Sequence, residues 1–275
     1  MDVYDFDEAD EVVVAHSSYH KKLSPEKYLA RASNTPFKNI QQVIAKIREI
    51  QEKCARGFHE KDAERLSKLM QYTFQFRQHE ILNNDLSVGN TIRNYPCLKC
   101  WKLLQEEFER VTRKSFIKFE FELNQVMEKL YKQRKTRNAQ ISNDGWSEKA
   151  VARIKNLDSE TRHISEGESA YRKSAKMVVF ISDHFSGQWI NNLVKIEDSL
   201  EHRNLRRLHP TIVIKKDILE KGCATVYTER VRVMQDLNFL EAVLACYFLH
   251  YIFNLEYTNC DKAFFLKLDA ILKLI

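Results

Sequence analysis

The chain reads as a mainly α protein. It has a helical bundle in the N-terminal half and an α+β C-terminal half, where a short β hairpin packs on a buried apolar helix. Three observations predict this. Glycine (6) and proline (4) are too scarce in 275 residues for the many tight turns of a sandwich or barrel. Apolar residues recur at helical spacing through most of 36–133. The run from Leu237 to Leu255 is apolar around nearly its whole circumference, so it belongs inside protein or lipid. A hydrophobic content of 44% supports a packed core and excludes wholesale disorder.

Residues 1–35 read as a flexible acidic and polar arm. Asp2, Asp5, Asp7, Glu8, Asp10 and Glu11 open it, and Val12–Ala15 is its one apolar run. Thr35 suits an N-cap and Pro36 the first helical position. Phe37, Ile40, Val43, Ile44, Ile47 and Ile50 then follow a helical period that Gly57 stops. A second helix, from about His59 to Leu82, aligns Leu66, Leu69, Met70, Thr73 and Phe74, and should lie antiparallel to the first. Ser87 caps a short helix through Val88 and Ile92, which ends before Pro96. Helices at about Lys99–Thr112 and Phe116–Gln133 complete a helical domain over 36–133.

Residues 134–146 are polar and basic and read as an exposed linker to a C-terminal α+β domain, 147–275. In that domain 147–174 is charged and weakly amphipathic, Met177–Ile181 is a strand or a buried helix start, and Glu197–His209 is helical and crowded with charge. Thr211–Ile214 and Ala224–Glu229 are β-prone runs flanking the turn signal Lys221-Gly222, which suits an antiparallel pair. An amphipathic helix with Phe264, Phe265, Leu268, Ile271 and Leu272 ends the chain. For Leu237–Leu255 a membrane span is the weaker reading. The run falls short of the roughly 20 apolar residues a span needs. It also holds Glu241 and His250, and a charge at the centre of a span costs about 2.5–3.5 kcal/mol.

No trusted catalytic signature is found: no Walker loop, no GxGxxG, no GxSxG and no distinct carboxylate pair. Six cysteines are present, and without a secretory signal the expectation is free thiols inside the cell, in cytoplasm or nucleus. Cys97-Leu-Lys-Cys100 has two cysteines at metal-ligand spacing. Zinc would need two more ligands, and only Cys54 and His59 are on offer, so buried small hydrophobes are the expected role. His16 and His20 are four apart but sit in the arm, where solvation is expected. Net charge is +6. Its basic clusters single out Lys132, Arg134, Lys135, Arg203, Arg206 and Arg207 as candidate phosphate contacts.

Two segments, over roughly 66–130 and 210–272, carry a resemblance. In the first, Leu69–Ile81 ends in Arg77-x-x-Glu80-Ile81. Ser87-Val88, Ile92, Tyr95-Pro96, Leu98 and Glu107-Phe108-x-Arg110 follow. In the second, Pro210 leads through Ala242-Val243 and Cys246 to Phe253-Asn254-Leu255-Glu256-Tyr257. Both resemble the sterile alpha motif domain-containing protein three-like family, in its region outside the sterile alpha motif. That module itself is not evident, so its polymer- and RNA-binding roles are not carried over. The resemblance implies one inherited architecture, with no reaction, cofactor or catalytic residue.

The expected function is a non-enzymatic protein-interaction or scaffold protein working through helical surfaces, without cofactor, metal or membrane, its acidic arm suited to a basic partner. The alternative is a nucleic-acid-binding module, transcription-related or derived from a mobile element, with the six basic residues on one face.

Overall fold

The computed structural model describes residues 40–54, 60–83, 87–135, 170–182, 193–196, 209–215, 217–229, 231–259 and 261–272. The arm with His16 and His20, the Thr35-Pro36 cap, linker residues 136–146 and the stretches 147–169 and 197–208 lie outside them. Linker residues 134 and 135 belong to the last turn of a helix.

The N-terminal half is helical throughout its described length. Helix α1 (Ile40–Cys54) buries Ile40, Ile44, Ile47 and Ile50, the stripe its spacing predicts, and packs on α2 (Glu60–Asn83). Helix α3 (Val88–Asn94) starts at Ser87, whose hydroxyl accepts from the Asn90 N–H at 3.1 Å. A 3-10 turn (Pro96–Lys99) leads into α4 (Trp101–Thr112), which stops where Arg113 turns left-handed at φ 61°. Glu109 then accepts from the Phe116 N–H at 2.6 Å, at the first turn of α5 (Phe116–Lys135).

In the C-terminal half, Met177–Ile181 falls within helix α6 (Ala170–Ser182). The expected hairpin, β2 (Thr211–Ile214) with β3 (Ala224–Thr228), is antiparallel, with Ile212 opposite Val226. It is the middle of a four-stranded sheet. Strand β1 (Val194–Ile196) joins β2 in parallel and β4 (Val231–Leu237) joins β3 antiparallel. β4 escaped the sequence reading because it does not alternate. Its register to β3 slips twice, and Asp236, at φ 56°, lies between the paired residues Met234 and Leu237. Gly222, at φ 67°, crosses close to Asp236: a Cβ there would be 3.5 Å from the Asp236 carbonyl oxygen.

Helix α7 (Phe239–Ile252) is the apolar element, two residues shorter at its start than expected because β4 takes Leu237. Twelve of its fourteen residues are buried. It packs on α4 and α6 and on strands β2 and β3, so the helical half and the sheet share one hydrophobic core. Phe108 of α4 and Phe248 of α7 stack at 4.1 Å between ring centroids, with Trp101 and Phe116 alongside. Glu241, which reads in the sequence as a charge within an apolar run, closes a capping box: it accepts from the Asn238 N–H at 2.8 Å. At the other end Asn254 is left-handed at φ 50°, and the Leu255 N–H reaches the His250 carbonyl at 2.9 Å. That is a Schellman stop with asparagine where glycine is usual, and it accounts for the Phe253-Asn254 pattern. Helix α8 (Lys262–Leu272) follows and packs on α5. No described helix is long and apolar enough to cross a membrane.

Candidate functional site

Two buried polar centres lie inside this frame. The first joins α2 to α4. Arg77 and Glu107 are both 0% exposed, and the Arg77 guanidinium donates to Glu107 from Nε at 2.9 Å and from Nη2 at 2.6 and 2.7 Å. Arg77 also donates to the Thr73 hydroxyl at 2.6 Å and to the Met70 carbonyl at 3.1 Å. Arg110 gives Glu107 a second cation at 3.0 Å while holding Glu106 at 2.8 Å and Gln71 at 3.0 Å. The guanidinium of Arg77 lies over the Tyr95 ring, 4.9 Å from its centroid. A buried charge is tolerable only when paired and hydrogen-bonded, and here both partners are.

The periphery of this centre is less well satisfied. The Tyr95 hydroxyl and Glu80 Oε2 are buried with no hydrogen-bond partner among the described residues. Burial raises the Glu80 carboxyl pKa above 4.5, and the charges of Arg77 and His79 pull it back by less. A carboxyl whose pKa is raised on folding binds more protons in the folded chain, so its contribution to stability falls as pH rises through and above 4.5. Glu80→Gln is therefore expected to raise the melting temperature modestly at neutral pH, with the gain closing below pH 4.5. Calorimetry at the two pH values checks it, and a loss of stability at neutral pH contradicts it.

The second centre joins α7 to α8. The hydroxyls of Tyr247, Tyr251 and Tyr257 all donate to Oδ1 of Asp269, at 2.8, 2.5 and 2.8 Å. Asp269 is 3% exposed. Burial first, and also the Asp269 carboxylate, push all three tyrosine pKa values up, so the hydroxyls stay protonated donors. His250, the second polar residue of the apolar run, is buried beside this centre. Its ring is 5.0 Å from Tyr257 and 5.1 Å from Phe265.

Both centres went unnoticed in the sequence, though each leaves a trace there. Arg77 occupies the next position of the stripe Leu66, Met70, Thr73, Phe74. Glu107 falls between Leu104 and Phe108 on the buried face of α4, and Asp269 beside Leu268 on that of α8. A charge on an apolar stripe signals a buried pair.

The cysteine pair sits beside the first centre. Cys97 is wholly buried in the 3-10 turn, its thiol 3.1 Å from Met70 Sδ, and burial pushes its pKa up to about 12. Cys100 is half-buried. Among the described residues no group of three or more His, Cys, Asp or Glu is placed to hold a metal ion. The Cys54 side chain and His59 lie outside them. Of the six candidate phosphate contacts, Lys132, Arg134 and Lys135 fall in the last turns of α5 with side chains outside the described residues, and Arg203, Arg206 and Arg207 lie wholly outside.

A cavity of about 30 Å³ opens between α5, α6, α7 and α8, walled by Leu123, Met127, Val178, Val243 and Phe264. That is room for about one water and none for a substrate. On the surface, α5 presents Ile117 (77% exposed) and Phe121 (62%) one helical turn apart on its outer face.

Residues 41–100 match the family model of the helical domain of sterile alpha motif domain-containing protein 3. The match runs from α1 through the 3-10 turn and contains Arg77, Tyr95 and Cys97, while Glu107 lies seven residues past its end. The resemblance read from the first sequence segment therefore holds where the two overlap. No curated protein matches the chain. No solved structure matches it.

Proposed function

We propose that this chain is a non-enzymatic interaction protein, working inside the cell in cytoplasm or nucleus, that docks a protein partner through the outer face of α5. The observation that carries the reading is the pair Ile117 and Phe121. Two large apolar side chains stand together in solvent on a helix whose other face is anchored in the core by Phe116, Phe119, Leu123 and Met127. Apolar anchors at i and i+4 on a rigid helix are what a partner's hydrophobic groove accepts. The match to a helical domain ends at residue 100, before α5, and supports an interaction role for the chain only in general terms. The free thiols of Cys97, Cys100, Cys223 and Cys246 suit a reducing compartment.

The test is comparative capture of partners from native cell extract. Ile117→Glu and Phe121→Glu change exposed positions, so stability should move by no more than about 0.5 kcal/mol. Both are expected to lose the partners that the parent chain retains. An unchanged partner set would overturn the assignment of this face. The nucleic-acid alternative has one observation in its favour, the net charge of +6. It predicts electrophoretic shifts that weaken steeply with salt, and their absence would remove it.

A further inference from the structure

The sulfurs of Met70 and Cys97 meet at the junction of α2 and the 3-10 turn, and we propose that with Cys100, three residues on, they form a binding site for copper(I). Three features place them together. Cys97 Sγ and Met70 Sδ stand 3.1 Å apart, in direct thiol–thioether contact, although 27 residues separate them in sequence. The Cys100 N–H bonds to the Cys97 carbonyl at 3.0 Å, which closes the turn. In such a turn residues three apart eclipse one another, so Cys97 and Cys100 fall on one side.

The chemistry of the set selects the metal. Thiolates and thioethers are soft donors, and the soft monovalent ion that takes such sulfurs is copper(I). Zinc asks for four ligands from nitrogen, thiolate or carboxylate. The described residues bring together no such group, and a thioether does not supply one. Binding needs no change of oxidation state. The ion enters, the Cys97 and Cys100 protons pass to solvent, and two metal–thiolate bonds and one metal–thioether bond form. That leaves one extra negative charge, next to the Arg77 guanidinium, whose positive charge already acts on the Cys97 thiol. Half-exposed Cys100 is the entrance, and wholly buried Cys97 is the inner ligand. Three sulfurs sharing one ion at about 2.3 Å each stand roughly 4.0 Å apart, so Met70 must yield by just under an ångström, which an unbranched side chain allows.

The experiment titrates the full chain with copper(I), without oxygen, against a chromophoric chelator. One ion per chain is expected to be held in a site that Zn(II) does not occupy. X-ray absorption should show sulfur neighbours only. Cys100→Ser, at a half-exposed position, and Cys97→Ser should each weaken binding by about 100-fold or more, beyond what loss of an outer-shell partner costs a metal site. Met70→Leu should weaken it less while leaving the helical circular dichroism in place. Copper held equally well by Cys100→Ser overturns the site, as does displacement of copper by zinc or nitrogen in the copper shell. The serine variants' circular dichroism separates lost binding from lost folding: a folded Cys100→Ser variant with parent affinity is decisive against the site.

Discussion

Glu107→Leu is expected to cost about 3–5 kcal/mol of folding stability, the range for breaking a buried ion pair from one side. It leaves the fully buried Arg77 guanidinium with only the Thr73 hydroxyl and the Met70 carbonyl. Arg77→Met should cost clearly less, because Glu107 keeps Arg110 at 3.0 Å. The double variant Arg77→Met/Glu107→Leu should recover much of the loss, since apolar groups of similar volume replace a buried pair at little net cost. Arg110 then retains Glu106. Urea denaturation of the three variants checks the order. Equal losses for the two single variants would show that Arg110 gives Glu107 no support. The pair spans α2 and α4, and it ties the family-matched residues 41–100 to the helix that follows.

Asp269→Ala is expected to cost about 3–4 kcal/mol, because three hydroxyls lose one shared charged acceptor and each stranded buried donor costs about 1–3 kcal/mol. The sum is held down because Tyr257 is half-buried and can find water. Asp269→Asn keeps an acceptor oxygen and should cost less. Single Tyr→Phe changes at 247 or 251 should each cost about 1–2 kcal/mol in the parent and far less in the Asp269→Ala background. Thermal unfolding of this cycle is the measurement. Additive losses would mean that the hydroxyls do not depend on Asp269. The cluster joins α7 to α8, so its loss should free the C-terminal helix first, seen as faster amide exchange over 262–272.

How far the sequence reaches is clearest at α7. Its burial was legible because no face of Leu237–Leu255 is polar. Its ends were not: β4 claims Leu237, and Asn254 stops the helix through a left-handed turn that apolar counting cannot register. The functions of Glu241 and His250 were equally hidden. As letters they are interruptions; in the fold one caps the helix and the other packs against Tyr257 and Phe265. The sheet shows the same limit. Thr211–Ile214 and Ala224–Thr228 announce themselves by β-branched residues, while β1 has three residues and β4 is bulged, so neither carries a periodic signal.

The sequence by itself determined the class and the order of most helices, because helical periodicity is local and needs only neighbours three and four residues apart. It also determined that α7 is buried and that residues 69–110 carry a recognisable pattern, part of which falls inside the matched segment. The tertiary structure alone decided which polar residues meet. Arg77 finds Glu107 across 30 positions and Met70 finds Cys97 across 27, while Asp269 gathers tyrosines from 12 to 22 residues back. Partners at that distance are chosen by packing and by the cost of burying an unpaired charge, and neither is written in any local window of the chain.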